Sequence, residues 1–135
     1  MHFKLCKDYE LLKQLHLKAF PLEEPRDFKS HADMAWVIKS YDYQRIIGFC
    51  SLSQIDPNTI FLSRAGAFSR GQGIHRASIR HRLSWAKYHG ISVAITYCSF
   101  DNYKSIYNLI RCGFDIYEPE WEYVGKDFMY LKRNI

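Results

Sequence analysis

The chain has 135 residues, 47% of them hydrophobic, and a net charge of +5, which predicts a single domain, 1–135, with a packed core and no room for a second domain. Its four cysteines form neither a C-x-x-C pair nor a zinc-ligand spacing with histidine, so we expect no metal site and no disulfide framework. No apolar run has the length of a signal peptide or a membrane span, so we expect a cytoplasmic protein that does not contact membranes.

Apolar periodicity and turn residues predict an α+β order of strands and helices. Leucines recur at helical spacing after Asp8, a capping residue, and Pro21 ends that first helix. The second and third strands flank Tyr41 and Asp42 and should form a hairpin. The expected elements, in chain order, are strand Phe3 to Cys6, helix Asp8 to Phe20, helix Arg26 to Ser30, strands Met34 to Lys39, Gln44 to Ser53 and Ile60 to Gly66, helix Ile74 to His89, strand Ile91 to Cys98, helix Asn102 to Arg111, and strands Phe114 to Glu118 and Phe128 to Lys132.

The segment Arg70 to His75 reads R-G-Q-G-I-H and lies between a predicted strand and a long predicted helix. Glycines at Gly71 and Gly73 allow positive φ angles and a close approach of the backbone to a ligand. The helix that follows points its first unpaired N–H groups and the positive end of its dipole at the same place. This arrangement predicts a site for an anionic group such as a phosphate, although a plain strand-to-helix connection has the same composition.

A second motif, Asn102-x-x-Ser105 followed by Gly113-Phe114, lies one strand further along the chain. The two motifs at this separation resemble those of the GCN5-related N-acetyltransferase (GNAT) superfamily, over roughly Phe61 to Phe114. The resemblance implies a three-layer α+β fold, with a mixed, mostly antiparallel sheet of six to seven strands and about four flanking helices. It also implies acetyl-CoA (CoA) as the cofactor and an amine-bearing small molecule, protein or peptide as the acetyl acceptor.

The resemblance assigns roles to individual residues. Asn102 and Ser105 would contact the pantetheine arm and the nucleotide, and a main-chain N–H near Ala65, Gly66 and Ala67 would polarise the thioester carbonyl. The strands Phe61 to Gly66 and Ile91 to Cys98 should separate, so that the pantetheine amides pair with exposed backbone. The cradle for the pyrophosphate would consist of Arg70, Gly71, Gln72, Gly73 and the amides of Ile74 and His75.

The sequence departs from the family pattern at two of these positions. His75 stands where relatives prefer glycine or alanine, and we expect its side chain to lie along the helix instead of acting in catalysis. Leu109 stands seven residues beyond Asn102, where many relatives carry a tyrosine that protonates the leaving thiolate. Tyr107 cannot replace that tyrosine, because two helical steps rotate it by about 200°. Solvent could protonate the CoA thiolate instead.

The acceptor side is expected in the loops Phe20 to Ser30 and Tyr117 to Lys126. Acidic and aromatic side chains there could hold an ammonium group and accept its proton, which favours a primary amine as substrate. A solvated, charged loop would have the same composition. Glu118 and Glu120 are the candidate bases; the candidate substrate-binding residues are Glu23, Glu24, Trp121 and Tyr123.

Charge and aromatic content leave alternatives open. No acidic residue occurs between Phe61 and Gly90, whereas six cationic residues do, as expected for a face that meets a phosphate-rich cofactor or another polyanion such as nucleic acid. Most aromatic side chains should pack in the core and its rim. The tail Phe128 to Ile135 could pair with a second copy of the chain in a homodimer. We interpret the chain as an acetyl-CoA-dependent N-acetyltransferase; the alternatives are a non-catalytic acyl-CoA-binding module and a basic nucleic-acid or protein interaction domain.

Overall fold

A mixed sheet of seven strands is flanked by four helices in the computed structural model, which describes residues 1–24, 27–69 and 71–135. This architecture confirms the predicted α+β fold. The elements, in chain order, are β1 (His2–Leu5), α1 (Tyr9–Ala19), α2 (Phe28–His31), β2 (Met34–Lys39), β3 (Ile46–Asp56), β4 (Thr59–Ala67), α3 (Ile74–Tyr88), β5 (Val93–Ser99), α4 (Tyr103–Arg111), β6 (Asp115–Ile116) and β7 (Phe128–Asn134).

The strand order across the sheet is β1-β2-β3-β4-β5-β7-β6. All neighbours are antiparallel except β4 and β5, which pair in parallel and only from Thr59↔Val93 to Phe61↔Ile95. Beyond Phe61 the two strands have no further paired residues, so the predicted separation of these strands is confirmed. Strand β7 lies inside the sheet, between β5 and β6.

Two apolar clusters cover the two faces of the sheet. On one face α3 presents Ile79, Leu83 and Ala86 at helical spacing, and α4 adds Leu109 to the same cluster. On the other face the cluster contains residues of α1, α2, β2 and β3, namely Leu12, Leu15, Phe28, Ala35, Val37 and Phe49. No helix in the described ranges combines the length and apolar character needed to cross a membrane.

Most predicted elements begin or end one to three residues away from the observed bounds. Strand β5 begins at Val93, because the amide of Ile91 donates to Ala86 O at 2.9 Å and closes the end of α3. Strand β6 contains only Asp115 and Ile116 of the longer predicted strand. The short helix α2 begins at Phe28, after the capping residue Asp27; Arg26, where we predicted its start, lies outside the described residues.

Candidate active site

A cleft of about 550 Å³ opens where β4 and β5 separate, and it passes from one face of the sheet to the other. Two groups of its lining residues differ in character. The helix end consists of residues on or next to α3 and α4: His75, Ser78, Asn102, Lys104, Ser105 and Asn108. The aromatic end consists of Phe20, Glu23, Phe61, Arg64, Tyr97 and Phe128.

A bulge in β4 separates the strands. The pairing with β3 shifts between Cys50 and Leu52, so that Ser63 and Arg64 together oppose Ser51. Such a bulge bends its strand and removes ladder hydrogen bonds. The edge of β4 that faces β5 beyond Phe61 therefore has backbone groups without strand partners in the described residues.

Buried side chains take the place of the missing ladder bonds. The Thr96 hydroxyl donates to Leu62 O at 3.0 Å, and the Ser51 hydroxyl donates to Arg64 O at 2.7 Å. Because a buried carbonyl without a donor costs about 1–3 kcal/mol, these contacts stabilise the open strand. Sequence analysis missed Ser51 and Thr96, since nothing in a local pattern shows which hydroxyl will lie beside a bulge.

Arg82 on α3 is a third buried side chain that donates hydrogen bonds to backbone carbonyls at the bulge. Its side chain is only 3% exposed; Nη1 donates to Ser51 O at 3.0 Å and to Ser63 O at 3.3 Å, and Nε donates to Ser78 O at 3.1 Å. No carboxylate of the described residues forms an ion pair with it. Burial lowers the pKa of Arg82, but an arginine remains charged at neutral pH.

Arg82 is one of the six cationic residues between Phe61 and Gly90 that we expected to face a phosphate-rich ligand; it lines the cleft, but its side chain is buried. The residue is at helical spacing from Ile79 and Ala86, on the buried face of α3, and its guanidinium binds backbone carbonyls. That spacing was visible in the sequence and was the signal for burial. Arg64 is likewise paired, with Glu23, at the aromatic end.

The N-terminus of α3 differs from those of the other long helices. Asp8 and Asn102 cap α1 and α4 by accepting hydrogen bonds from Leu11 N and Ser105 N. Gly73 caps α3 with φ 66° and makes no side-chain hydrogen bond, so the first amides of this helix are not satisfied by a cap. A methyl group at Gly73 would meet nothing within 4 Å. The residues Gly71 and Gln72 beside it are exposed, and Arg70 lies outside the described residues.

One lysine provides the positive charge of the helix end. Lys104 and His75 line it, and no acidic side chain does so in the described part of the chain. Burial, followed by the charges of Lys104 and Arg82, lowers the pKa of His75. The side chain of Ile74 is buried in the core, so this residue can offer a ligand only its backbone.

Of the three predicted oxyanion positions, only Ala65 lines the cleft; Gly66 and Ala67 do not. A Cβ atom on Gly66 would lie 2.6 Å from the Phe49 ring and 2.8 Å from the Ala19 Cβ. Gly66 is therefore required by the close packing of β4 on α1 and β3.

A family model described as "Acetyltransferase (GNAT) family" matches residues 6–114. The chain belongs to the GNAT acetyltransferase family. This result confirms the resemblance found in the sequence. A search of curated proteins gave no match.

Solved structures of GNAT proteins share the fold. The chain is similar to an IAA acetyltransferase from Bacillus cereus, with a TM-score of 0.81 and 19% identity over 99% of each chain. It is also similar to a GNAT acetyltransferase from Elizabethkingia anophelis with acetyl-CoA bound, with a TM-score of 0.79 and 18% identity over 99% of this chain and 97% of that one. The ribosomal-protein-S18-alanine N-acetyltransferase from Escherichia coli aligns with a TM-score of 0.76 and 13% identity, covering 99% and 93%.

Within the GNAT fold, the structure places the predicted acceptor residues unequally. Glu23 lines the cleft, whereas Glu24, Glu118 and Glu120 are exposed and lie outside its lining. Trp121 is exposed and packs on Tyr123, with ring centroids 6.2 Å apart. Of these six residues only Glu23 lines the cleft, and Tyr123 packs behind the rings of Phe61 and Tyr97.

Leu109 is buried in the core and lines the cleft, whereas Tyr107 is 54% exposed. Tyr107 lies between two guanidinium groups, with Arg76 Cζ 5.6 Å and Arg111 Cζ 6.0 Å from its ring centre. The Leu109 side chain has no proton to donate, so it cannot act as an acid in the cleft. Cys98 also lines the cleft, and burial raises the pKa of its thiol to about 11.

Proposed function

We propose that this protein is an acetyl-CoA-dependent N-acetyltransferase that transfers the acetyl group directly to a primary amine. The observation that carries the proposal is the continuous cleft between β4 and β5, which connects the uncapped N-terminus of α3 to the aromatic end. Membership of the GNAT family supports acetyl transfer as the reaction.

The helix end fits a CoA group. The amides of Ile74 and His75, with the backbone at Gly73, would donate hydrogen bonds to the pyrophosphate, because no side-chain cap occupies this helix N-terminus. The described residues that line the helix end include Lys104 and no acidic side chain, which favours an anion there. Gly71, Gln72 and Arg70 would complete the cradle, while Asn102, Ser105 and the unpaired edge of β4 would flank the pantetheine arm.

Acetyl-CoA, when bound, supplies an activated acyl group, so the protein needs mainly to align the reactants and manage protons. A backbone N–H near Ala65 would stabilise negative charge on the carbonyl oxygen. Glu23 is the acidic side chain at the cleft wall and would accept a proton from the incoming ammonium, directly or through a water. Cys98, protonated at neutral pH because of its raised pKa, would not act as a nucleophile.

One observation favours a second candidate function. Leu109 leaves the thiolate without a tyrosine donor, which suits a protein that binds acyl-CoA without turnover. The two functions share the cofactor site and differ in whether thioester is consumed.

The test begins with thermal stability in the presence and absence of acetyl-CoA. A ligand that binds only the folded protein stabilises it by about 2.7 kcal/mol at a hundredfold excess over its Kd. Gly73→Asp should abolish the increase in Tm, because it adds bulk and negative charge at the helix end. Gly90→Asp is the matched control, since Gly90 has a similar φ of 73°, equally open space and a position at the other end of α3.

Absence of any increase in Tm for the folded wild type would contradict both candidate functions and favour the interaction domain. An increase that Gly90→Asp retains and Gly73→Asp loses would support the cofactor site. Release of free thiol from acetyl-CoA in the presence of amines would then separate the enzyme from the non-catalytic module.

A further inference from the structure

The aromatic end of the cleft is built from rings that contact one another across three strands. Phe61 on β4 stacks on Tyr97 of β5, with centroids 5.8 Å apart and ring planes at 10°. Phe128 on β7 meets Tyr97 edge-on at 5.2 Å. Such a wall of rings offers a flat apolar surface on which another ring can stack or pack edge-on.

Tyr123 and Tyr130 stand behind this wall and hold it. Tyr123 meets Phe61 at 5.9 Å and Tyr97 at 6.0 Å, both edge-on. The hydroxyl of Tyr130 accepts a hydrogen bond from Val124 N and donates one to Gly125 O, which fixes the loop that carries Tyr123. The aromatic wall is therefore held in place before any ligand binds.

One ion pair lies at this end. Arg64 Nη2 is 2.9 Å from Glu23 Oε1, with the two side chains 28% and 39% exposed. Arg64 also lies over the Phe20 ring, 5.1 Å from its centre, and Glu23 Oε2 is 3.7 Å from Nε2 of the buried His16. A neighbouring cation and anion, both reachable from solvent, complement a ligand that carries a carboxylate and an ammonium close together.

We propose that the acetyl acceptor is an α-amino acid with an aromatic side chain, bound as the zwitterion; this rests on the function proposed above. Arg64 receives the carboxylate, Glu23 receives the ammonium group, and the ligand ring packs on Phe61, Tyr97 and Phe128. A simple cationic amine would add a second positive charge beside Arg64 with no carboxylate to balance it, and an amino acid with a small side chain would leave the rings uncovered. The charge pair and the wall together favour the aromatic zwitterion over either.

The reaction balances as an acyl transfer. The ammonium group loses one proton to Glu23 or a bound water, and the amine nitrogen forms a bond to the acetyl carbonyl carbon. The carbon–sulfur bond of the thioester breaks, the sulfur leaves with the electron pair and takes a proton from solvent, and the nitrogen loses its second surplus proton. The products are the N-acetyl amino acid, free CoA thiol and one proton.

The experiment measures kcat/KM for acetyl transfer to phenylalanine, alanine and phenethylamine, with the products identified by mass spectrometry. Alanine lacks the ring and phenethylamine lacks the carboxylate, so each comparison tests one part of the site. We expect phenylalanine to exceed both by about tenfold or more. Arg64→Gln should reduce the ratio of phenylalanine to phenethylamine, and Phe128→Ala should reduce the ratio of phenylalanine to alanine.

Two matched controls lie outside the cleft. Arg80→Gln changes an exposed arginine of α3, and Phe100→Ala changes an exposed phenylalanine after β5. Both should keep the wild-type ratios. The proposal is overturned if phenethylamine or alanine equals phenylalanine, or if acetyl-CoA raises the Tm but these three amines give no product. A lack of any acetyl-CoA effect on the Tm would instead overturn the proposed function.

Discussion

The two ends of the cleft are constructed differently. The helix end uses backbone amides, a glycine at a helix N-terminus and side chains within a few residues of two helix starts. The aromatic end uses side chains from β4, β5, β7 and the loop after α1, which are far apart in the chain. A local motif can therefore specify the cofactor, whereas the acceptor depends on side chains that only the folded sheet brings together.

The largest expected effect follows from Arg82, which supports both ends by holding the β4 bulge. Arg82→Met removes the donors to Ser51 O and Ser63 O. Two buried carbonyls without donors should reduce the free energy of unfolding by about 2–5 kcal/mol in total. Urea unfolding measures the loss, and KM for acetyl-CoA should rise because the strand edge beside the cleft shifts.

Arg82→Lys provides the comparison, since it keeps the charge and can reach fewer acceptors. Its stability and KM should fall between those of the wild type and Arg82→Met. If both variants keep the urea midpoint and the KM of the wild type, the bulge does not need the Arg82 side chain.

Leu109→Tyr tests whether a proton donor on α4 changes the rate of acetyl transfer. Leu109 is 6% exposed in the main core, so Leu109→Tyr should lower stability by about 1–3 kcal/mol through overpacking. We expect no rise in kcat, because in the proposed mechanism solvent protonates the departing thiolate. A clear rise in kcat at neutral pH would show instead that the missing acid limits the wild-type enzyme.

Acid should weaken the fold through two histidines on α3. Burial, then nearby cations, lowers the pKa of His75, and burial with the charge of Arg82 lowers the pKa of His81. Each histidine prefers to be neutral in the folded state, so its full contribution to stability holds above the ordinary value of 6.5 and is lost as the pH falls below it. Urea unfolding at decreasing pH should show this loss, and His75→Gln with His81→Gln should flatten it. A stability that increases on acidification would contradict the assignment.

The smallest effect is expected at the exposed glutamates. Glu118→Gln and Glu120→Gln should each change kcat/KM for amine acetylation by less than about twofold, because neither side chain lines the cleft. Glu23→Gln is the matched comparison and should lower kcat/KM by about tenfold or more, since general-base catalysis contributes at least that much. If Glu118 or Glu120 acts as the base, the order of these effects will be reversed.

Much of the helix end was predictable because its determinants are local. Glycine at Gly73 and asparagine at Asn102 set helix starts through backbone conformation and capping, which depend on neighbouring residues. The same reasoning failed at Arg82, whose charge suggested a surface position although its helical spacing placed it on the buried face. The close packing of Gly66 against Phe49 was likewise not visible in the sequence, because it depends on the pairing of β3 with β4.

The order of strands and helices and the family resemblance could be predicted from the sequence, because periodicity, caps and short motifs act over a few residues. Long-range strand pairing sets which carbonyls the bulge in β4 leaves open, which buried side chains bind them, and which rings meet at the aromatic end. Residues such as Phe61 and Phe128 are 67 positions apart in the chain. Their meeting depends on the pairing of β4, β5 and β7, which is a property of the whole sheet.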